Sequence, residues 1–353
     1  MNDPLRELLA VPGSELAEVL RSGLRLTARA LESTARETPD DPGTDAYREL
    51  RLVFEDVLGT APRRAVAVVH EDPLEDLYRH YVRETPQGLP PGESLPGMPA
   101  ARWQAFTSSL LRLPAQAAIE WRRASQSLIG AGPPEAHLVP GEEHETLLPG
   151  NRDLGVRELV GTPHAPLPAD VAAAVRGAAP GTDGWTLGAL ASQVLALSEA
   201  DPALYSFGSL TGGPRPLRDA AHRARYRAEL LARIEDFSDQ PASSLAALRA
   251  LVLVDEALCS VTHLSPSTHA TSWWNLLAAR SRRLVFAHAQ ALREQAKVRE
   301  PARRYSDIKE LTEDDVPAHS PGQSGRVLRC LRLYADYGGN VRRGRVIYGT
   351  DEG

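Results

Sequence analysis

Along most of the chain the apolar positions recur at steps of three and four residues, the period of one helix face. Ser14 to Glu37 carries Leu16, Val19, Leu20, Leu24 and Leu31 at that spacing, with Ser14 placed to cap the first turn. The run Thr38–Asp45 (TPDDPGTD) breaks the pattern, and a second helix is expected from Ala46 to Leu58. Ala65–Val69 is a short apolar run whose length does not decide between strand and helix. Leu74–Val82 is expected to be helical and holds Tyr78, His80 and Tyr81. After a Pro- and Gly-dense connection, Ala100 to Ile129 forms a helix interrupted near Pro114, with Trp103, Phe106, Leu110 and Trp121 as core residues.

The second half is more regular. Helices are expected at Ala169–Gly177, Thr186–Glu199 and Leu217–Phe237, with a loop at Ser206–Pro216. Ala242–Leu258 is apolar nearly all round, the mark of a helix buried inside a bundle. The next helix spans Trp273 to Val298 and stops before Pro301. Ser306–Gly325 is polar and reads as loop. The tail alternates about Gly338-Gly339-Asn340, which suits a terminal hairpin, though its first segment, Arg326–Tyr334, suits a helix equally. The expected architecture is mainly α, a multi-helix bundle with a small C-terminal β-hairpin as an option. It is organised as an N-terminal helical region (1–130), a long irregular connection (131–168) and a C-terminal bundle (169–353).

Composition narrows the function. The 353 residues are 42% apolar and 24% charged, in the range of folded globular proteins. A net charge of −6 argues against a nucleic-acid partner, whose phosphates are met by excess Lys and Arg. Two cysteines make neither a disulfide scaffold nor a four-cysteine zinc site. The first residues, MNDPLRELLAVPG, lack a secretory pattern, and no window approaches an uninterrupted membrane span, so a cytoplasmic protein without membrane contact is expected.

Candidate chemistry concentrates between Cys259 and Glu294, which hold three of the ten histidines, two tryptophans and a cysteine. Leu277, Leu284, His288 and Leu292 follow one helical row, which points His288 at the core as a metal ligand or a satisfied core histidine. His263 and His269 lie six apart around Pro266, a spacing that fits neither a helical zinc pair nor a finger. Trp273-Trp274 can stack on an aromatic ligand, but neighbours on a helix diverge by about 100°, so one at most is expected to face inward. Arg280, Arg282 and Arg283 form a local basic cluster. Elsewhere, Glu142-Glu143-His144-Glu145 reads as a solvated acidic run, and Asp314-Asp315 lacks the second half of an aspartate-rich metal motif. Cys259 reads as a small buried hydrophobe. Ser206–Gly213 is Gly-rich without a Walker or Rossmann spacing, and neither HExxH nor GxSxG occurs.

The stretch RSRRLVFAHAQAL around His288, followed by SPGQSG at Ser320–Gly325, resembles the helical heme enzymes of the tryptophan 2,3-dioxygenase superfamily. The likeness covers about 50 of the 353 residues, and no CxxCH heme-attachment motif is present. It implies an oxygenase or peroxygenase of specialised metabolism acting on an aromatic amino-acid-like small molecule. In that reading His288 is the metal ligand of a heme and Arg283 meets a propionate. His263 and His269 act on the distal face, while Trp273, Trp274 and Arg280 hold the substrate. Two other classes stand beside it: a non-catalytic helical binding or interaction protein, and a metal-free acid–base enzyme using His263, His269 and His288. The expected partner is a small-molecule substrate, with a homodimer as an option; the interaction protein would instead bind a partner or a small ligand.

Overall fold

The chain divides into two units, Met1–Glu71 and Asp72–Gly353. The computed structural model describes Tyr47 in the first. In the second it describes residues 73–84, 99–128, 145–150, 156, 159–161, 166–208, 213–264, 266–292, 295–301, 304–320 and 322–351. The helix expected at Ser14–Glu37 and the run Ala65–Val69 lie outside the described residues, as does Ala46–Leu58 apart from Tyr47, which is helical.

Three helices open the second unit: α1 (Pro73–Glu84), α2 (Pro99–Leu110) and α3 (Ala115–Leu128). Pro114, which has no N–H to donate, sits between the last two. The Tyr81 ring meets Phe106 and Trp121 edge-on, each at 5.1 Å. Trp103 donates its indole N–H to the Pro149 carbonyl at 2.9 Å, beside the two-stranded sheet of β1 (Glu145–Leu148) and β2 (Leu159–Gly161).

Five further helices follow: α4 (Ala169–Ala174), α5 (Asp183–Ala200), α6 (Ala220–Ser238), α7 (Leu245–Cys259) and α8 (Trp273–Ala291). Each of the four long ones starts on a side-chain cap, from Thr182, Asp219, Ser244 and Ser272 in turn. The all-round apolar α7 is the central helix, packed against α5, α6 and α8, with eleven of its fifteen residues buried. Tyr81, Phe106, Leu147, Leu190, Leu251 and Trp274 belong to one hydrophobic core, so α1–α3 and the later helices share it.

The mainly α expectation fails. Alongside these eight helices the described residues form eleven strands in four sheets, a mixed α and β fold rather than an all-α bundle with one hairpin. The segment expected to be loop around Ser206–Pro216 holds β3 (Tyr205–Ser206) and β4 (Arg215–Pro216), which pair, and β3 also pairs with β5 (Val261–Thr262). Helix α8 stops at Ala291 rather than Val298, because Lys297–Arg299 is a strand, β6. The polar stretch after it contains β7 (Val316–His319), and Arg326–Tyr334 contains the strand β8 (Val327–Arg332). Then come β9 (Tyr334–Tyr337), β10 (Asn340–Arg342) and β11 (Arg345–Thr350).

Strand β11 is central, antiparallel to β8 and parallel to β7, while β9 lies between β10 and β6. The turn from β9 to β10 uses Gly338 and Gly339 at φ 67° and 97°, a region open to glycine at little cost. Apart from this hairpin, the strands escaped the hydrophobic pattern for two reasons. Several have only two to four residues, and β8 and β11 bury Arg329, Arg332 and Arg345 where a strand pattern calls for apolar side chains. Among the described residues no helix is long and apolar enough to cross a membrane.

Candidate functional site

Helix α8 and strand β8 enclose a cleft of about 290 Å³. Asn275, Ala278 and Arg282 line it from one face of α8, as their spacing of three and four dictates. Val327, Leu328, Arg329 and Cys330 line it from β8, and Glu300 and Pro301 complete it. The volume is at the small end for ligand pockets.

Two buried guanidinium groups dominate this cleft, and their surroundings differ. Arg282 has carboxylates to answer its charge. Its Nη1 donates to Glu300 in a very short bond, its Nη2 donates to the Cys330 carbonyl at 2.6 Å, and Asp255 Oδ2 stands 4.0 Å from its Nε. Arg329 is 4% exposed and meets only neutral acceptors. Its Nε donates to the Cys259 carbonyl at 3.2 Å and its Nη1 to Asn275 Oδ1 at 3.4 Å, while Nη2 is covered and has no hydrogen-bond partner. Cys259 ends α7, so its carbonyl belongs to the negative end of that helix, worth about half a charge. Among the described residues, no carboxylate pairs with Arg329. Burial depresses its pKa, and the nearby Arg282 adds to this.

Behind the cleft the polar groups are sealed. Asp255 accepts from Ser281 Oγ at 2.7 Å and from Cys259 Sγ at 3.6 Å, and burial pushes its carboxyl up despite Arg282, Ser281 and Cys259. Burial also raises both thiols, that of Cys330 to about 12, which keeps them protonated and poorly nucleophilic. Farther along, the buried Glu256 gathers Arg342, Arg332 and Arg233 at 2.7, 3.5 and 3.4 Å, tying α7 to α6 and to the C-terminal strands.

Comparison of the chain with protein-family models, curated proteins and solved structures finds no match.

The histidines expected to cluster do not meet. His263, buried just after β5, faces Asp201 at the C-terminal end of α5, Nε2 to Oδ2 at 3.0 Å, with Trp274 edge-on to its ring at 6.0 Å. Burial and the Arg112 charge hold the His263 pKa down against the pull of Asp201. Burial favours a protonated Asp201, but His263, the Ala203 N–H and Arg112 more than offset it and hold the carboxyl low. His288 instead pairs with Asp183 at the N-terminal end of α5, Nε2 to Oδ2 at 2.8 Å. The two aspartates are eighteen positions apart along this helix, about 27 Å at 1.5 Å per residue. His269 is half-buried, and its carbonyl accepts from Asn275 Nδ2 at 2.8 Å.

A heme between these groups does not fit. The Nε2 atoms of His288 and His263 are both engaged by carboxylates, at opposite ends of one helix. His288 also sits at the edge of the core rather than in it, because the buried row of α8 runs through Trp274, Ala278, Ser281, Val285 and Ala289. No group of three or more potential metal ligands occurs among the described residues.

The remaining expected site residues disperse as well. Trp273 and Trp274 are both buried, against the expectation of one, because α8 is covered on two sides; their rings meet edge-on at 5.1 Å. They are core residues and do not line the cleft. Arg283 is exposed on a shallow groove beside Phe286, and Arg280 lies outside the cleft. Glu142-Glu143-His144 lies outside the described residues. Asp315 is structural, with Oδ1 taking the Val346 N–H at 2.9 Å. Of the arginine trio, Arg282 is the one in the cleft. Its partner Arg329 had no signal in the sequence beyond an arginine within a short apolar run.

Proposed function

We propose that this is a ligand-binding protein that holds a small organic anion in the α8–β8 cleft. One observation carries the reading: Arg329 is a buried guanidinium that no carboxylate pairs with among the described residues, in the wall of a cleft sized for a small molecule. Buried charges are normally paired, and an uncompensated one is costly to maintain. An anion entering from solvent supplies the missing charge, and Nη2 is the donor of Arg329 left to meet it. Asn275 adds a polar wall, and Ala278, Pro301, Val327 and Leu328 offer apolar surface for the rest of the molecule. The inert thiols and the separation of the histidine pairs from this cleft favour binding over the oxygenase and acid–base readings.

Thermal unfolding of the full chain with benzoate and with benzamide tests this, since the two differ chiefly in charge. Benzoate is expected to raise the melting temperature in a saturable way and benzamide to leave it unchanged. Equal behaviour of the acid and the amide, or no shift with benzoate, acetate or phosphate, would remove the reading.

A further inference from the structure

We infer that the cleft selects singly charged carboxylates and that Glu300 enforces the selection; this rests on anion binding at the cleft proposed above. Among the lining residues only Arg282, Arg329 and Glu300 are charged, a lining charge of +1. Their positions decide how that charge is shared. Glu300 has a side chain 46% exposed and bonds to Arg282, which is 10% exposed. Asp255 approaches the same guanidinium from the buried side. Arg282 is thus answered from front and back, and Arg329 alone is left for a ligand.

A first negative charge on the ligand meets Arg329. A second finds no further cation among the described lining residues, and within so small a cleft it lies a few ångströms from the Glu300 carboxylate. Like charges at that distance, partly shielded from water, repel enough to cost about tenfold or more in affinity. This is discrimination by a built-in repulsive group rather than by an added contact. A zwitterion is disfavoured for a separate reason, because the carboxylate that would receive its ammonium is already held by Arg282.

Calorimetric titration of the full chain at neutral pH and constant ionic strength, with benzoate and the dianion phthalate, provides the test. Wild type is expected to bind benzoate about tenfold or more tightly than phthalate. In Glu300→Gln the ratio is expected to fall to about threefold or less, with the gain falling mainly on phthalate, and Glu300→Asp is expected to restore it. Glu300 is half-exposed, so a melting curve suffices to confirm that both variants fold. The inference is overturned if wild type binds both ions equally, if Glu300→Gln leaves the ratio unchanged, or if alanine zwitterion binds more tightly than propionate. Benzoate binding with an unchanged ratio would overturn only the selectivity. Absence of binding by any of these ions would overturn the cleft reading as well.

Discussion

Replacing Arg329 by Met separates a ligand-binding arginine from a structural brace. The substitution removes hydrogen bonds of 3.2 and 3.4 Å to neutral acceptors, together worth about 1–3 kcal/mol, including the interaction with the end of α7. It also removes a buried cation without a carboxylate, whose desolvation costs several kcal/mol. The two effects oppose each other, so the unliganded variant should lie within about 1 kcal/mol of wild type or be more stable by about 1–3 kcal/mol. Arg282→Met is the reference. It leaves Asp255 without its cation and the Cys330 carbonyl without its donor, and should cost about 3–5 kcal/mol. Urea unfolding followed by tryptophan fluorescence reads both, since Trp103, Trp121, Trp185, Trp273 and Trp274 all lie in the unit Asp72–Gly353 and none in the first. Arg329→Met should in addition abolish the benzoate-induced rise in melting temperature. If Arg329→Met is destabilised as far as Arg282→Met, Arg329 is a brace and the reasoning from its missing partner fails.

Three further outcomes are expected. Glu256→Gln should lower stability by about 3 kcal/mol, because it removes the buried carboxylate that Arg233, Arg332 and Arg342 share, leaving Arg233 to Glu229, Arg332 to Glu313 and Arg342 with no carboxylate among the described residues; a loss under about 1 kcal/mol in urea titration would show that the network is replaceable. The fold holds His263 neutral while an unfolded histidine protonates near 6.5, so stability from this pair is complete above that pH and declines as pH falls below it. The depressed Asp201 adds a second decline below about 3.8. His263→Asn should flatten the dependence of the urea midpoint on pH below about 6.5, and identical slopes in the two proteins would contradict the assignment. Cys259 and Cys330 should resist an aromatic disulfide reagent in the native protein and react only as it unfolds; labelling faster than unfolding would show that they are not sealed.

The helices were largely legible because their signals are local. The all-round apolar run ending at Leu258 is the buried α7, and Trp273 begins α8 where the pattern started. Apart from the hairpin that turns at Gly338-Gly339, the strands were not legible. β3, β4 and β5 have two residues each, too few for a period to register, and β8 hides two buried arginines in VLRCLR. The apolar row through His288 runs along the shoulder of α8. Its true inward row contains Ala, Ser and Val, small residues that carry little weight in a hydrophobic pattern.

The sequence by itself determined where most helices form, that α7 is buried, and that chemistry-bearing residues gather after Cys259. Those properties depend on side chains within a turn or two of one another. Only the tertiary structure decided which charges are answered. His263 finds Asp201 across 62 positions, His288 finds Asp183 across 105, and Arg342 finds Glu256 across 86. Arg329 finds no carboxylate among the described residues. Charge compensation is a property of spatial neighbours brought together by packing, and no residue's own neighbourhood in the chain encodes it.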